Sequence, residues 1–525
     1  MSPWLPDLNN GEYKNPVIYA DYSDPDAIRV GDDYWMIASS FCHVPGLPIL
    51  HSRDLVNWTI VNHALPALVP HDYFSAVRHG QGAWASAIRH HAGKFWIYYP
   101  DPDFGIYVIT ATDPRGKWSE PVCVKSGKGF IDPCPLWDDD GSVWLVHGWA
   151  KSRSGICNIL TLHRLSPDGE RVEGQGEVVI DGNAISGWHT IEGPKFYKRN
   201  GWYYIFAPAG GVATGYQAVF RSRKITGPYE NRIVLEQGST PVNGPHQGAW
   251  VGTPSGEHWF LHFQELPATG RVVHLQPMRW ENDWPVMGTS VAGNNGMVGH
   301  PVPIYRKPDS PRQPVAAPAT SDDFSSPEPG RQWQWQANPR PEWACVDTAA
   351  KALRLACMPM HETGSHWMTP HLLMQKFPCT DFRVDVTLDA LPAQAREGDH
   401  GGLMVFGYNY AWIGLANNGG HGARLVHATC HNAQDGNKEQ IIASIDAPAV
   451  DKLHLRVEVT NGRECRFSYS EDGRAYVQMG EVFHATSSKW VGAKVGLFAA
   501  CKPETQSDAQ MTFRQFVVSP LVPAA

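Results

Sequence analysis

A strand–turn–strand pattern centred on an aromatic residue occurs five times in the first half of this chain. In each copy a turn containing glycine leads into a run of aromatic and aliphatic residues, as at 93–99 (GKFWIYY). The anchoring aromatic residues, about 50 to 60 residues apart, are Trp35, Trp96, Trp144, Tyr204 and Trp259. Because β-type repeats that each begin at a turn are typical of β-propellers, five copies predict five blades.

A polar or aromatic residue lies about a dozen positions before each anchor, at an offset shared by all five repeats. These residues are Asp24, Trp84, Asp132, Glu192 and His246. The first strand of a propeller blade lines the central channel, so residues at equivalent offsets are expected to converge near the axis. Asp24-Pro25 and Asp132-Pro133 are also common turn sequences, and each aspartate taken alone fits a turn role better. The offset shared by five repeats favours a functional cluster.

The composition indicates which kinds of molecule the protein is expected to bind. A chain of 525 residues with 42% hydrophobic residues is long enough for two or three domains with buried cores. The net charge of −8 gives no electrostatic footprint for nucleic acid or for an anionic membrane surface, so neutral substrates are expected. No apolar run approaches the length of a transmembrane helix.

The N-terminal residues contain neither a basic segment nor an apolar core of a signal peptide, which predicts a cytoplasmic protein. The alternative is a secreted protein whose leader has been removed. The ten cysteines show no CxxC spacing, so buried reduced thiols are expected in preference to disulfides or a metal cluster.

A stretch rich in proline and alanine divides the chain. Residues 306–320 (RKPDSPRQPVAAPAT) show no apolar periodicity and are predicted to be a linker after a propeller domain at 1–305. Residues 321–525 contain alternating segments such as DFRVDVTLDAL and KLHLRVEVTNG, without a long helical pattern. They predict an antiparallel β-sandwich, so the whole chain is expected to be all-β.

A series of motifs follows in consistent order through the first 300 residues. They are NPV, DPDAI, GDDYW, SSF, PGLPI and HSRDLVNW within 15–58, GFIDPCPLW at 129–137, IEGPKFYKRNGWYYIFAPAGG at 191–211 and NGPHQGAWV at 243–251. Together they resemble glycoside hydrolase family 43, the β-xylosidase and α-L-arabinofuranosidase family. The resemblance implies a five-bladed propeller, which agrees with the repeat count, and a C-terminal lectin-like sandwich that packs on it.

The resemblance also implies roles for three acids. Asp24 matches the general base, Glu192 the general acid, and Asp132 the acid that modulates the pKa of the general acid and orients it. Hydrolysis with inversion needs one carboxylic acid to protonate the leaving oxygen and one carboxylate to activate water on the opposite face. Glu192 is therefore expected to be protonated near neutral pH through burial or a neighbouring like charge.

Four further residues are candidates for substrate contacts. Trp84 is expected to stack on a sugar ring, with Phe41 as a second aromatic candidate, and simple blade packing is the alternative for both. Arg271 matches a family arginine that hydrogen-bonds sugar hydroxyls. His246 matches a histidine near the axis that contacts the pocket floor or coordinates a structural calcium ion, although calcium prefers oxygen ligands. No other cofactor is expected.

The combined prediction is an exo-acting, inverting glycosidase that releases β-D-xylose from xylooligosaccharides. An α-L-arabinofuranosidase, or an enzyme with both activities, is the alternative within the class, because Ala207–Val212 departs from the family's usual AEGG segment and leaves the preferred sugar open. A non-catalytic carbohydrate-binding protein is the alternative from another class. Family relatives are often homo-oligomers, and whether the sandwich itself binds carbohydrate is open.

Overall fold

Five blades of four antiparallel strands follow one another along the first part of the chain in a computed structural model that describes residues 2–293, 296–311 and 313–521. The sheet of the fourth blade is extended to six strands by two strands from later in the chain. The strands are β1 (Glu12–Lys14), β2 (Asp26–Val30), β3 (Asp33–Ile37), β4 (Gly46–Ser52), β5 (Thr59–Leu65), β6 (Ala87–His91), β7 (Lys94–Asp101), β8 (Gly105–Ala111), β9 (Val122–Ser126), β10 (Phe130–Trp137), β11 (Val143–Trp149), β12 (Ile159–Leu165), β13 (Val172–Asp181), β14 (Lys195–Arg199), β15 (Trp202–Ala209), β16 (Tyr216–Ser222), β17 (Glu230–Leu235), β18 (His246–Gly252), β19 (His258–Leu266), β20 (Gly270–Glu281), β21 (Trp284–Met287), β22 (Thr289–Gly293), β23 (Gly296–His300) and β24 (Ile304–Arg306). The five blades are β2–β5, β6–β9, β10–β13, β14–β17 and β18–β21. The prediction of a five-bladed propeller is confirmed.

Each anchoring aromatic residue lies on the second strand of its blade and pairs with the innermost strand. Trp35 pairs with Ile28, for example, and Trp259 pairs with Val251. The anchors also fill the spaces between blades, since Trp35 meets Phe95 of the second blade edge-on at 5.9 Å between ring centroids. The repeat therefore has a packing cause: one large ring per blade bridges to a neighbouring sheet.

The N-terminal segment closes the ring of blades. β1 pairs with β24, which ends the propeller part of the chain. A bridge then joins Ile18 to Val273 on β20, and Tyr22 N–H donates to the Arg271 carbonyl at 3.0 Å. The chain start is thus hydrogen-bonded along the fifth blade immediately before it enters the first blade at β2.

Two larger sheets form the C-terminal part. Their strands are β25 (Ala344–Asp347), β26 (Ala352–Ala356), β27 (Met358–Pro359), β28 (Leu373–Lys376), β29 (Phe382–Asp389), β30 (His400–Phe406), β31 (Tyr410–Asn417), β32 (Ala423–Cys430), β33 (Gln440–Asp446), β34 (Lys452–Thr460), β35 (Glu464–Ser470), β36 (Val477–Gln478), β37 (Phe483–His484), β38 (Lys494–Cys501) and β39 (Gln510–Pro520). Side chains alternate between buried and partly exposed along β34, and one apolar core lies between the two sheets. The predicted β-sandwich is confirmed.

Helical structure is sparse in the described residues. The α-helix there is α1 (Lys151–Ser154), and the 3-10 turns are Tyr73–Ser75, Gly182–Ala184, Pro341–Trp343, His366–Met368, Gly419–His421 and Ala433–Asp435. None of the helices in the described ranges is long and apolar enough to cross a membrane. All ten cysteines are free thiols, and seven of them are buried.

The segment predicted to be a linker lies along the first blade. Gln313 Nε2 donates to the Asn57 carbonyl at 2.8 Å, and Ala316 N–H donates to Asn57 Oδ1 at 2.9 Å. Arg312, within the predicted linker, and residues 522–525 of the predicted sandwich domain lie outside the described residues.

The sandwich is attached to the first blade and to the loop that leads from it to the second blade, by backbone and side-chain contacts. Val44 and Trp335 form a backbone bridge, and Asn338 exchanges hydrogen bonds with Leu68 N–H at 2.8 Å and the Leu68 carbonyl at 3.0 Å. The His79 ring stacks on Trp367 with centroids 3.7 Å apart. These contacts fix the sandwich beside the end of the propeller at which the innermost strands begin.

Candidate active site

The predicted cluster assembles at the starts of the innermost strands. Asp24 lies two residues before β2, Glu192 precedes β14, and His246 begins β18. Asp132 lies where the pairing of β10 with β11 is irregular. Asp24 and Asp132 both precede a proline and have backbone φ angles of 57° and 55°, in the left-handed region. A non-glycine residue held there costs about 1–3 kcal/mol, and such strain concentrates at functional sites.

Asp24 is surrounded by hydrogen-bond donors. Its Oδ1 accepts from Arg271 Nη1 at 3.1 Å, and its Oδ2 accepts from the hydroxyls of Ser23 at 2.9 Å and Ser39 at 2.6 Å. The Arg271 guanidinium also lies 5.0 Å from the centroid of Phe263 and is almost fully buried. A buried guanidinium and two hydroxyl donors therefore fix the orientation of the Asp24 side chain.

Asp132 has a contrasting environment. Burial and the neighbouring carboxyl of Glu192 raise the pKa of Asp132 to about 7, although a hydrogen bond from Gly193 N–H at 2.7 Å acts in the opposite direction. Asp132 Oδ2 would lie only 3.6 Å from a Cβ added at Gly148, so the neighbouring strand closes over it. The charge of Glu192 therefore acts on an Asp132 carboxyl group that is itself shielded from solvent.

Glu192 forms a close pair with His246. Its Oε1 lies 3.0 Å from Nε2 of the fully buried His246 ring, while the Glu192 side chain keeps 24% of its surface exposed. The neutral imidazole accepts a hydrogen bond at Nε2 in one tautomer and donates one in the other, so this contact serves a protonated or an ionised Glu192. Glu192 thus combines access from solvent with a fixed orientation.

Aromatic residues from the propeller and from the sandwich meet at Trp84, which occupies the offset in its blade that Asp24, Asp132 and Glu192 occupy in theirs. Phe41 is buried and meets the half-buried Trp84 edge-on at 5.9 Å. Trp490, from the sandwich, meets Trp84 from another side at 5.8 Å and is 39% exposed. Phe41 therefore supports Trp84 from behind, and a direct contact of either residue with a sugar stays a prediction.

Sequence reasoning missed two residues of this region. Lys195 is fully buried, its Nζ donates to the Ser86 carbonyl at 2.9 Å, and its charge acts to lower the pKa of Asp132. It is the first residue of an innermost strand, a position that could have drawn attention to it. Trp490 lies in a sandwich loop far away in sequence and carried no comparable signal.

The residues at the axis do not fit the calcium ion that the family resemblance implied. Calcium takes six to eight oxygen ligands, whereas His246 offers ring nitrogens and its Nε2 already contacts Glu192. The buried ammonium of Lys195 lies in the same region and would oppose a second cation. In the part of the chain that the structure describes, no group of three or more His, Cys, Asp or Glu side chains could hold a metal ion.

The fold and the site together define a class of protein. A five-bladed propeller carries three clustered carboxyl groups, one held by an arginine and another buried beside its neighbour. Paired acids in contrasting environments are the arrangement that glycosidic-bond hydrolysis requires. The arrangement is that of a glycoside hydrolase.

Comparison with known proteins supports the assignment as a glycoside hydrolase and identifies the family. Residues 13–285 match the model of "Glycosyl hydrolases family 43", and residues 321–519 match "Beta xylosidase C-terminal Concanavalin A-like domain". The chain belongs to glycoside hydrolase family 43 and is a glycoside hydrolase.

Relatives match along most of their length. A β-xylosidase of Formosa agariphila is 30% identical over 94% of this chain and 88% of its own. A xylosidase/arabinosidase of Humicola insolens is 27% identical over 97% of this chain and 98% of its own. Xylan β-1,4-xylosidase from Bacillus halodurans has the same fold, with a TM-score of 0.83 over 96% of this chain and 99% of that chain at 23% identity.

The raised pKa of Asp132 predicts a pH-dependent effect of Asp132→Asn on stability. The pKa of Asp132 is about 7 in the folded protein and near 3.8 in the unfolded chain. The protonated acid therefore contributes its full stabilisation below pH 3.8, and this contribution falls as the pH rises and is lost above pH 7. Asparagine can still accept from Gly193 and carries no such penalty. We compare the free energy of unfolding of the variant with that of the wild type at each pH. We expect this difference, variant minus wild type, to be about 1–4 kcal/mol more positive at pH 8 than at pH 4.5.

Urea unfolding at both pH values measures this difference. Asp435→Asn, at an exposed turn position, is the matched control and should show no such trend. A stability difference between Asp132→Asn and the wild type that is the same at pH 4.5 and pH 8 would contradict the raised pKa.

Proposed function

We propose that this chain is an exo-acting, inverting glycosidase that removes β-D-xylose from the non-reducing ends of xylooligosaccharides. The observation that carries the proposal is the contrast between Asp24, ion-paired with Arg271, and the buried pair of Asp132 and Glu192. The names of the Formosa and Humicola relatives support xylose as the released sugar.

Asp24 is the proposed general base. Its ion pair with Arg271 and its two serine hydrogen bonds hold it as a carboxylate in a fixed direction. It takes a proton from a water molecule while that oxygen bonds to the anomeric carbon of the terminal sugar. Arg271, with its guanidinium buried beside Asp24, also has the donors to bind a sugar hydroxyl.

Glu192 is the proposed general acid. It donates its proton to the glycosidic oxygen as the bond from the anomeric carbon to that oxygen breaks. The charge repulsion between Asp132 and Glu192 favours retention of one proton by the pair near neutral pH. Since Glu192 is the more exposed of the two and is oriented by His246, it is the member that can deliver this proton to substrate.

The packing of Trp490 of the sandwich against Trp84 supports cleavage at chain ends. In the proposed site, Trp84 lies beside the acids because it occupies the equivalent offset of its blade, and the two rings then form one side of the entrance. A wall on the entrance restricts a site to the terminal sugar of a chain, whereas an open groove admits internal bonds. The same wall provides aromatic surface for the sugar on the leaving side.

The second candidate function is α-L-arabinofuranosidase activity, alone or together with xylosidase activity. The Humicola relative, whose name includes both activities, favours it. The test is parallel hydrolysis of an aryl β-D-xylopyranoside and an aryl α-L-arabinofuranoside by the same preparation. Preference for the xyloside supports the first proposal, preference for the arabinoside the second, and turnover of neither would contradict both.

Glu192→Ala tests the general acid. We expect kcat to fall by about 10² or more on xylobiose, whose leaving sugar needs protonation. The loss should be much smaller for aryl xylosides with acidic phenols, because a stable phenolate leaves without a proton. Steady-state kinetics over a series of leaving groups measure this dependence, and unchanged turnover of xylobiose would refute the assignment.

Asp24→Ala tests the general base. Water must be activated whatever group leaves, so we expect losses of about 10² or more on xylobiose and on every aryl xyloside alike. Circular dichroism of the variant would show that the propeller is intact. Near-normal hydrolysis of any one of these substrates would count against Asp24 as the base.

We further propose that catalysis requires no bound cofactor or calcium ion. The buried ammonium of Lys195 near the acids and the pairing of His246 with Glu192 support this proposal. Dialysis against EDTA should leave kcat/KM on xylobiose within about twofold of its starting value, since the proposed steps use only acid and base groups. A loss of activity that added Ca²⁺ restores would contradict it.

A further inference from the structure

A loop of the sandwich reaches the fifth blade of the propeller. The loop, residues 485–493 between β37 and β38, carries Trp490. Ala493 N–H donates to the Ala268 carbonyl at 2.6 Å, in the turn between β19 and β20. A Cβ added at Gly492 would lie 2.1 Å from the Thr269 carbonyl oxygen, so only glycine permits this approach. The loop is therefore seated against the propeller by its own backbone.

The carboxyl group of Asp21 joins this loop to the active site. Its Oδ2 accepts from Gly492 N–H in the sandwich loop at 2.9 Å, and its Oδ1 accepts from Arg271 N–H in β20 at 2.9 Å. Asp21 is almost fully buried, and a Cβ at Gly270 would lie 2.7 Å from its Cγ, so the carboxyl group is held tightly. Two oxygens of one side chain thus bind one backbone donor from each part of the protein.

Each of the two segments that Asp21 binds contributes a side chain to the proposed site. The Arg271 side chain extends to Asp24 at 3.1 Å, and Trp490, two residues before Gly492, packs on Trp84. Trp490 itself has a backbone φ of 66°, a conformation that its own side chain does not favour and that the surroundings must impose. The hydrogen bond to Gly492 lies close enough along the chain to impose it.

We propose that Asp21 is a positioning residue that sets the catalytic arginine and the sandwich tryptophan in one geometry, so that the sandwich acts on catalysis through this carboxyl group. The inference rests on the proposed function, in which Arg271 holds the base and Trp490 walls the entrance. It assigns the sandwich a part in turnover itself, through a residue that contacts neither substrate nor reacting atoms.

The carboxylate form of Asp21 is required for this role. A carboxylate accepts hydrogen bonds at both oxygens, whereas asparagine presents one acceptor and one NH₂ donor. Asp21→Asn keeps the size of the side chain but can satisfy only one of the two backbone donors. The other donor then faces an N–H group, and its segment loses its fixed position.

We expect Asp21→Asn to lower kcat/KM on xylobiose by about tenfold or more, a loss expected when a buried hydrogen bond to a charged group is broken. Cleavage by trypsin after Lys489 should accelerate by a similar factor, because the released loop opens locally more often. Mass spectrometry of timed digests identifies this cut. A variant with wild-type kcat/KM and a wild-type cleavage rate at Lys489 would overturn the proposal.

Asp322→Asn is the matched control. Asp322 also accepts one backbone N–H at each oxygen, from Phe324 at 2.9 Å and from Gly330 at 2.8 Å, and its Oδ2 accepts in addition from Trp333 Nε1 at 2.9 Å. All three donors belong to the sandwich, so Asp322→Asn disturbs a comparable set of hydrogen bonds away from the site. We expect lower stability with unchanged kcat/KM and an unchanged cleavage rate at Lys489. Equal kinetic losses in the two variants would mean that general destabilisation, not positioning, explains Asp21.

A double-mutant cycle with Trp490→Ala tests the coupling itself. Trp490 is partly exposed, so its truncation should leave the fold intact even where Asp21→Asn does not fold well. If Asp21 acts by placing Trp490, Trp490→Ala lowers kcat/KM, and the double variant loses less than the product of the two single losses. Strictly multiplicative losses, or a Trp490→Ala enzyme with normal kinetics on xylobiose, would overturn the proposal.

Asp24→Ala, assayed beside these variants, distinguishes a failure of the positioning role from a failure of the proposed function. If Asp24→Ala is inactive while Asp21→Asn is normal, only the positioning role fails. If Asp24→Ala remains active, the proposed function fails, whatever Asp21→Asn does.

Discussion

The ion pair between Asp24 and Arg271 joins residues 247 positions apart, at the two ends of the propeller sequence. It joins the start of the first blade, at Asp24, to the fifth blade, to which Arg271 belongs. The pairing of β1 with β24 and the bridge from Ile18 to Val273 connect the same two ends of the propeller sequence. The geometry of the site therefore depends on the closed ring of blades.

The three acids lie in one cluster, but the fold gives each carboxyl group a different environment. Asp24 has a guanidinium and two hydroxyl donors, Asp132 is placed where its ionised form is costly, and Glu192 keeps contact with solvent and with His246. A propeller can do this because each acid comes from a separate blade, so the surroundings of one can vary without moving the others. The left-handed backbone at Asp24 and Asp132 shows that the fold accepts strain to aim them.

Much of this architecture could be predicted from the sequence because the propeller repeats. The anchors at Trp35 and Trp259 and the equivalent offsets of Asp24, Asp132 and Glu192 carry the blade count and the placement of the acids. Such periodicity reports what successive blades have in common. Lys195, Asp21 and Trp490 occur once each, and their importance depends on contacts between distant segments that no local pattern encodes. The calcium expectation came from resemblance alone, and the axial residues of this chain do not fit it.

The position of the sandwich has a consequence for how the whole protein comes apart. It contacts the first blade and its outgoing loop at Val44 and Leu68 and the fifth blade at Ala268, so it spans the seam at which the ring closes. For the first and fifth blades to separate, the sandwich must leave at least one of them. Separation of these two blades is consequently coupled to release of the sandwich, so each domain stabilises the other at this seam.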